Sequence, residues 1–381
     1  MRLPAFRLLD KEQDRILNLP LDGSYLITGP PGSGKTVIAL YRAKMINERN
    51  EHSVLLVFNN TLKTYVSAAT KKLKIEAETH GYYPWLTSKF LHYFSIRPPM
   101  LSDFEHDWAR ILSKVNAKPP PRGNLPYVIV DEGQDLHPMF FQLIRYLSKN
   151  LTVLADGNQV LTSTNSSLDE IRLNAMITKP TQLLVKNYRN SRQIAQLAAC
   201  FHSGIETGVA ELPSRTGPPI KIRCYQVRQQ AVDYIRRYQE QHPKADIAVF
   251  LPDKKSVKSY VYRLVKDLGE GCVQYYYREG SGKTGRTVNT LDFSKPAVRV
   301  MNYWSAKGLE ADAVFLPELQ DFRQDPTSGS TKMLFYVLLS RARQELYLSY
   351  VKDETSLIKD LKKYIDELAV GDSEQFDGNV A

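Results

Sequence analysis

The sequence predicts an α/β protein of two units, each built on a largely parallel sheet, and three observations carry that expectation. A chain of 381 residues is too long for one ordinary core. Short apolar runs recur without polar alternation, which is how strands buried on both faces read. Amphipathic helical stretches lie between many of those runs, and strand alternating with helix is the pattern of parallel α/β architecture.

The expected strands are Tyr25–Thr28, Val54–Phe58, Tyr127–Val130, Thr152–Ala155, Ile247–Leu251, Val298–Asn302 and Ala313–Leu316. The expected helices include Thr36–Arg49, Pro138–Lys149, Arg192–Phe201 and Gln229–Gln241. The proline- and glycine-rich stretches Lys118–Asn124 and Pro213–Pro219 read as loops within a domain. There is no internal repeat. These signals divide the chain into a first domain over 1–184, a second over 185–365, and an acidic, disordered tail over 366–381.

A hydrophobic fraction of 43% and a charged fraction of 24% lie in the globular range, so most of the chain should fold. The formal charge is +10, and it becomes +15 without the five acids Asp366, Glu367, Asp372, Glu374 and Asp377. Such an excess fits a phosphate-rich partner, since each neutralised phosphate releases a counterion, and it fits simple solubility equally well. Cys200, Cys224 and Cys272 are far apart, have no metal-ligand spacing and read as reduced thiols. The N-terminal stretch lacks a signal-peptide core, and no apolar run nears the roughly 20 residues that span a bilayer. The expectation is a soluble, cytoplasmic protein with no membrane partner.

Gly29-Pro30-Pro31-Gly32-Ser33-Gly34-Lys35-Thr36 fits the pattern G-x-x-x-x-G-K-[ST] in full, after a strand and opening a helix. The glycines let the backbone wrap tightly and turn N–H groups toward phosphates at a helix N-terminus. Lys35 is placed to reach the β- and γ-phosphates, and the Thr36 hydroxyl to ligate Mg²⁺. The later stretch Gly280-Ser281-Gly282-Lys283-Thr284 copies only the end of this pattern. Tyr277 stands where the first glycine belongs, so the stretch reads as a basic loop.

Tyr127-Val128-Ile129-Val130-Asp131-Glu132-Gly133-Gln134-Asp135 puts two carboxylates at the end of a buried strand. One carboxylate can hold Mg²⁺ while its neighbour polarises a water in line with the γ-phosphate. Asp131 is the candidate metal ligand and Glu132 the candidate base.

With this DEGQD segment the sequence resembles the superfamily 1A helicases of the UvrD/Rep/PcrA type, whose second motif reads DExQD. The resemblance runs from Gln13 to about Leu346 and implies two RecA-like P-loop domains with ATP in the cleft between them. Gln13 resembles the glutamine that reads adenine. Phe58-Asn59-Asn60 resembles the Ia segment and Thr79-His80 the Ib contact, both implied to touch the single strand. Gln159, in Asp156-Gly157-Asn158-Gln159, takes the place of the γ-phosphate sensor of motif III. Asn187-Tyr188-Arg189-Asn190 resembles motif IV, in which Tyr188 packs on adenine and Arg189 reaches the γ-phosphate. Ser305–Glu310 resembles motif V, with Glu310 near the ribose. Tyr336–Arg343 resembles motif VI, with Arg341 as a second arginine finger. The implied cofactors are ATP and Mg²⁺, and the implied partner is single-stranded nucleic acid, DNA by family habit, travelled 3′ to 5′.

The sequence also departs from the family. About 110 residues separate motifs IV and V and look like ordinary domain-two strands and helices, so accessory subdomains are expected to be missing or vestigial. Leu161–Ser167, after motif III, holds no ring for base stacking, a contact worth about 1–3 kcal/mol per base. Asn302-Tyr303-Trp304 replaces the usual start of motif V; Trp304 reads either as a substitute stacking surface or as a core or interface residue. The aromatic stretches Tyr82–Trp85 and Phe90–Phe94 read as base contacts or, more in keeping with their helical spacing, as core. Two functions therefore stand: a helicase or translocase on single strands, and a regulatory or DNA-sensing ATPase subunit that licenses a partner nuclease.

Overall fold

The computed structural model of the protein describes residues 6, 9–58, 60–102, 105–157, 165–202, 210–280 and 286–377. The described residues separate into two compact units, divided between Val185 and Lys186. Each is an α/β unit on a largely parallel sheet, so the expected fold class holds and both units are RecA-like.

The first unit opens with helix α1 (Lys11–Leu17), capped by Asp10, whose side chain accepts the Glu12 N–H at 2.9 Å. Strand β1 (Tyr25–Thr28) leads through the glycine-rich turn into α2 (Lys35–Glu48). There follow β2 (Ser53–Val57), α3 (Asn60–Leu73), β3 (Glu78–Gly81), α4 (Tyr82–Phe94) and α5 (Trp108–Ala117). The unit closes with β4 (Tyr127–Val130), α6 (Pro138–Ile144), β5 (Asn150–Ala155), α7 (Leu168–Asn174) and the short β6 (Gln182–Leu183).

The strands lie in the order β3-β2-β4-β5-β1-β6, with every pairing parallel. Their carboxyl ends therefore share one edge, where α/β sheets place ligands. Strands β1, β2 and β4 are buried along their whole length, which is why they read as unbroken apolar runs. Trp85, Phe90, Trp108, Phe140 and Phe141 fill the core on one side of this sheet. The aromatic stretch of α4 is accordingly core at Trp85 and Phe90, with Tyr82, Tyr93 and Phe94 packed against it.

The second unit contains α8 (Arg192–Ala199), β7 (Lys221–Tyr225), α9 (Arg228–Gln241), β8 (Ile247–Leu251) and α10 (Lys254–Leu268). It continues with β9 (Val273–Glu279), β10 (Arg286–Asn289), β11 (Val298–Asn302), β12 (Ala311–Leu316), α11 (Gly329–Leu339), β13 (Ala342–Val351) and α12 (Ser356–Asp377). The order is β10-β9-β11-β8-β12-β13-β7, and all pairings are parallel except β9 with β10. The long stretch between motifs IV and V thus supplies strands and helices of this sheet.

Two boundaries differ from the sequence expectation by more than two residues. Helix α6 stops at Ile144 instead of Lys149, and the chain turns there toward β5. Helix α12 runs to Asp377, through most of the segment expected to be a disordered tail. Leu357, Ile358 and Leu361 bury its first turns, and helix growth from an anchored start is cooperative. Among the described residues no helix is long and apolar enough to cross a membrane.

Candidate nucleotide-binding site

The turn from β1 to α2 is tight enough to demand its glycines. A Cβ on Gly29 would lie 2.7 Å from the Leu184 carbonyl oxygen and 2.8 Å from Ser33 Oγ. Gly34 has φ +90°, and a Cβ there would meet Gln13 Nε2 at 2.2 Å. Pro30, Pro31, Gly32 and Ser33 are buried, and the Ser33 N–H donates to the Pro30 carbonyl at 3.3 Å. Helix α2 starts at Lys35, so its unsatisfied first-turn N–H groups face the turn and favour an anion.

Lys35 is buried, and its Nζ donates to the carbonyls of Gly29 at 2.5 Å and Pro30 at 3.1 Å. It also lies 3.4 Å from Asp156 Oδ2. The Thr36 hydroxyl, one residue on, donates to Asp131 Oδ2 at 2.8 Å. The fold thus sets side by side the two oxygens that the sequence nominated for one Mg²⁺, one from the start of α2 and one from the end of β4. A hard cation prefers such hydroxyl and carboxylate oxygens, so these residues fit the ion. Burial pushes the Asp131 carboxyl above the usual carboxylate range, and the charge of Glu132 adds to the rise; Thr36 and Lys35 oppose it.

Glu132 leaves the strand with φ +56°, a left-handed conformation that costs a non-glycine residue about 1–2 kcal/mol. Residues held in this way cluster at functional sites. Its Oε2 accepts a 2.6 Å hydrogen bond from Gln134 Nε2. Gln134 is fully buried, and its Oε1 accepts the Asp156 N–H at 2.9 Å. Sequence reasoning assigned no part to Gln134 or Asp156. Their only signal was membership of two adjacent motifs.

Gln13 is buried beside the phosphate loop, with Nε2 donating to the Ser33 carbonyl at 3.3 Å. Its Oε1 accepts the Asp10 N–H at 3.3 Å, so the candidate adenine reader also caps α1. Gln159 and Asn59 lie outside the described residues, as do Leu161–Thr164 and the Ser281–Thr284 part of the basic loop.

In the second unit, Asn190 braces motif IV against motif VI. Its Nδ2 donates to the carbonyls of Ser340 at 3.0 Å and Ala342 at 2.5 Å, on either side of Arg341. Arg189 Nε donates to Glu310 Oε2 at 2.9 Å, and Arg343 pairs with the other oxygen of that carboxylate. Arg341 is buried, its Nε donating to the Val337 carbonyl at 2.9 Å and its Nη1 to that of Leu309 at 3.3 Å. Arg189, Glu310 and Arg341 therefore meet at the amino ends of β12 and β13. Glu310, expected beside a ribose, is engaged by two arginines, and Arg343 was not foreseen. Tyr188 is exposed.

The candidate strand contacts are more scattered. Phe58 follows β2, is 42% exposed and stacks on Tyr82 with centroids 5.9 Å apart. Asn60 is an exposed first residue of α3. Thr79 and His80 lie on edge strand β3, where Glu78 holds His80 at 2.9 Å and His52 at 3.1 Å. Trp304 is 46% exposed while its neighbour Tyr303 is buried, which removes the core reading of that tryptophan.

Two α/β units carrying these motifs define the class as a two-domain P-loop protein. Residues 14–165 match the AAA domain family, and residues 286–353 match the UvrD-like helicase C-terminal domain. The two matches together span more than half of the chain, and the chain belongs to the UvrD-like superfamily 1 helicases. No curated protein matches it. Among solved structures it is similar to the C-terminal domain of a possible DNA helicase from Lactobacillus plantarum WCFS1, at 20% identity and a TM-score of 0.35. That similarity covers 46% of this chain and 95% of the other. It is also similar to the arterivirus nonstructural protein 10 helicase in complex with DNA, at 16% identity and a TM-score of 0.41. Here 92% of this chain and 65% of the viral chain are covered.

Proposed function

We propose that this protein is an ATP-driven motor on single-stranded nucleic acid, DNA by preference, moving 3′ to 5′. The observation that supports this most is the Thr36 hydroxyl 2.8 Å from Asp131 beside a complete phosphate loop. In this reading the Gly29–Gly34 turn and the start of α2 cradle the phosphates, and Lys35 leaves the Gly29 and Pro30 carbonyls for the β- and γ-phosphates. Thr36 and Asp131 hold Mg²⁺, which when bound supplies positive charge to the phosphate oxygens. Glu132 accepts the proton of the attacking water, whose alignment is the main task of a phosphoryl-transfer site. Gln13 and Tyr188 hold the adenine. Arg189 and Arg341 stabilise charge on the γ-phosphate, so its loss on hydrolysis releases the second domain and drives a step.

Strand displacement tests the motor. Duplexes with a 3′ or a 5′ single-stranded tail are incubated with the protein and ATP, and strand release is followed. Release from the 3′-tailed duplex alone is expected. ATP hydrolysis without release from either substrate favours the regulatory-subunit reading, and release from the 5′-tailed duplex alone reverses the assigned polarity.

A further inference from the structure

The loop Pro213–Pro219, which belongs to no motif, is fastened to the turn that carries Arg189. The Arg192 N–H donates to the Arg215 carbonyl at 2.8 Å, and the Gly217 N–H donates to Gln193 Oε1 at 2.8 Å. The approach is close enough to require a glycine. A Cβ on Gly217 would lie 2.5 Å from Ser191 Oγ and 3.1 Å from the Gln344 carbonyl oxygen. Docked in this way, the loop lays the Arg215 side chain across the backbone of motifs IV and VI. One amino group, Nη2, donates to the Arg189 carbonyl and, at 2.8 Å, to the Arg343 carbonyl. Nη2 carries two hydrogens, so each has its own acceptor.

Arg189 is thereby held on both sides of its Cα. Its N–H donates to Asn187 Oδ1 at 3.0 Å within its own turn, and its carbonyl accepts from Arg215. Fixing both backbone groups fixes the direction in which the side chain leaves. The tie to Arg343 closes a ring: Arg343 pairs with the Glu310 carboxylate, and Glu310 Oε2 accepts from Arg189 Nε at 2.9 Å. All four residues of that ring lie in the second unit. Arg215 itself is exposed, so water can satisfy both carbonyls when the guanidinium is removed. What disappears is the tie between them. We infer that Arg215 is a positioning residue for Arg189, holding the backbone of that finger against the start of β13 without touching the nucleotide. This deepens the motor reading and rests on it.

The test compares Arg215→Met, an unbranched side chain with no donor, with Arg215→Lys, which keeps the charge but not the planar fork. With single-stranded DNA present, the saturated ATP hydrolysis rate should fall roughly 10–100-fold in Arg215→Met, short of the loss of a whole finger, and less in Arg215→Lys. Affinity for ADP–aluminium fluoride with Mg²⁺, a mimic of the transition state, should weaken by the same factor, while ADP affinity stays within about threefold of wild type. The second domain's melting midpoint should stay within about 3 °C of wild type, as for an exposed side chain. In an Arg189→Ala background, adding Arg215→Met should not weaken binding of the mimic further, because a residue that acts through another is silent once that other is gone. Should Arg215→Met fail to fold, Arg215→Lys decides by the same comparison of the mimic with ADP. A wild type that hydrolyses ATP while both variants keep its rate and its affinity for the mimic overturns the inference alone. Losses that add in the double variant, or that fall equally on ADP, overturn it in favour of a packing role. A wild type that never hydrolyses ATP overturns the motor reading and this inference with it.

Discussion

The Glu310 carboxylate separates two accounts of the second domain by one substitution. Resemblance puts Glu310 beside the ribose of the nucleotide, whereas the structure pairs it with Arg189 and Arg343. The side chains of Glu310, Arg189 and Arg343 are 16%, 17% and 11% exposed, so the group is largely but not wholly out of water. Removing one partner of a fully buried pair costs about 3–5 kcal/mol, because the remaining charge stays desolvated. Allowing for the residual exposure, Glu310→Ala should cost about 2–3 kcal/mol. A domain of this size loses roughly 2–4 °C per kcal/mol, so the second domain's melting midpoint should drop about 5–10 °C. Glu310→Gln keeps one acceptor and should cost about half as much. Calorimetry of the two variants beside the wild type reads the drop, and steady-state hydrolysis reads KM for ATP, which should change little. A Glu310→Ala protein that melts with the wild type but binds ATP tenfold more weakly would refute the arginine-clamp account and restore the ribose contact.

Two further outcomes follow from the first domain. Gly34→Ala should destabilise by about 1–2 kcal/mol through its positive φ alone, and the new Cβ also meets Gln13; adding Gln13→Ala should recover the steric part only. Equal denaturation midpoints for Gly34→Ala and wild type would contradict this. His106 is buried beside Tyr83 and Trp108, and burial, with His137 as the lesser cause, pushes its pKa down to about 4. Between pH 6.5 and about 4 the unfolded chain therefore binds the extra proton, so the stability is fully present above pH 6.5 and is lost as pH falls toward 4. The melting temperature of wild type should fall more steeply over that window than that of His106→Phe, and parallel profiles would count against the burial argument.

The strands that sequence reading located are those buried on both faces, such as Tyr25–Thr28 and Ile247–Leu251, since burial makes them continuously apolar. The missed strands break that rule for physical reasons. Glu78–Gly81 and Lys221–Tyr225 lie at sheet edges and carry polar residues, and Ala342–Val351 alternates buried with partly exposed positions. The site divides in the same way. Lys35, Thr36, Asp131 and Glu132 were legible because each lies in a contiguous segment whose chemistry needs it. Gln134 with Asp156, Asn190 with Ser340, and Glu310 with Arg343 were not, because each pairing joins residues that only the sheet order brings together.

The central claim is that one chain hydrolyses ATP with a phosphate loop in its first domain and an arginine finger in its second, under the control of a single strand. Its most direct test is the ATP hydrolysis rate of wild type, Lys35→Ala and Arg341→Ala, with and without single-stranded DNA. The account predicts a wild-type rate that rises strongly with the strand and falls by roughly 10³ or more in each variant. A wild-type rate indifferent to single strands, or an Arg341→Ala protein as active as wild type, would contradict it.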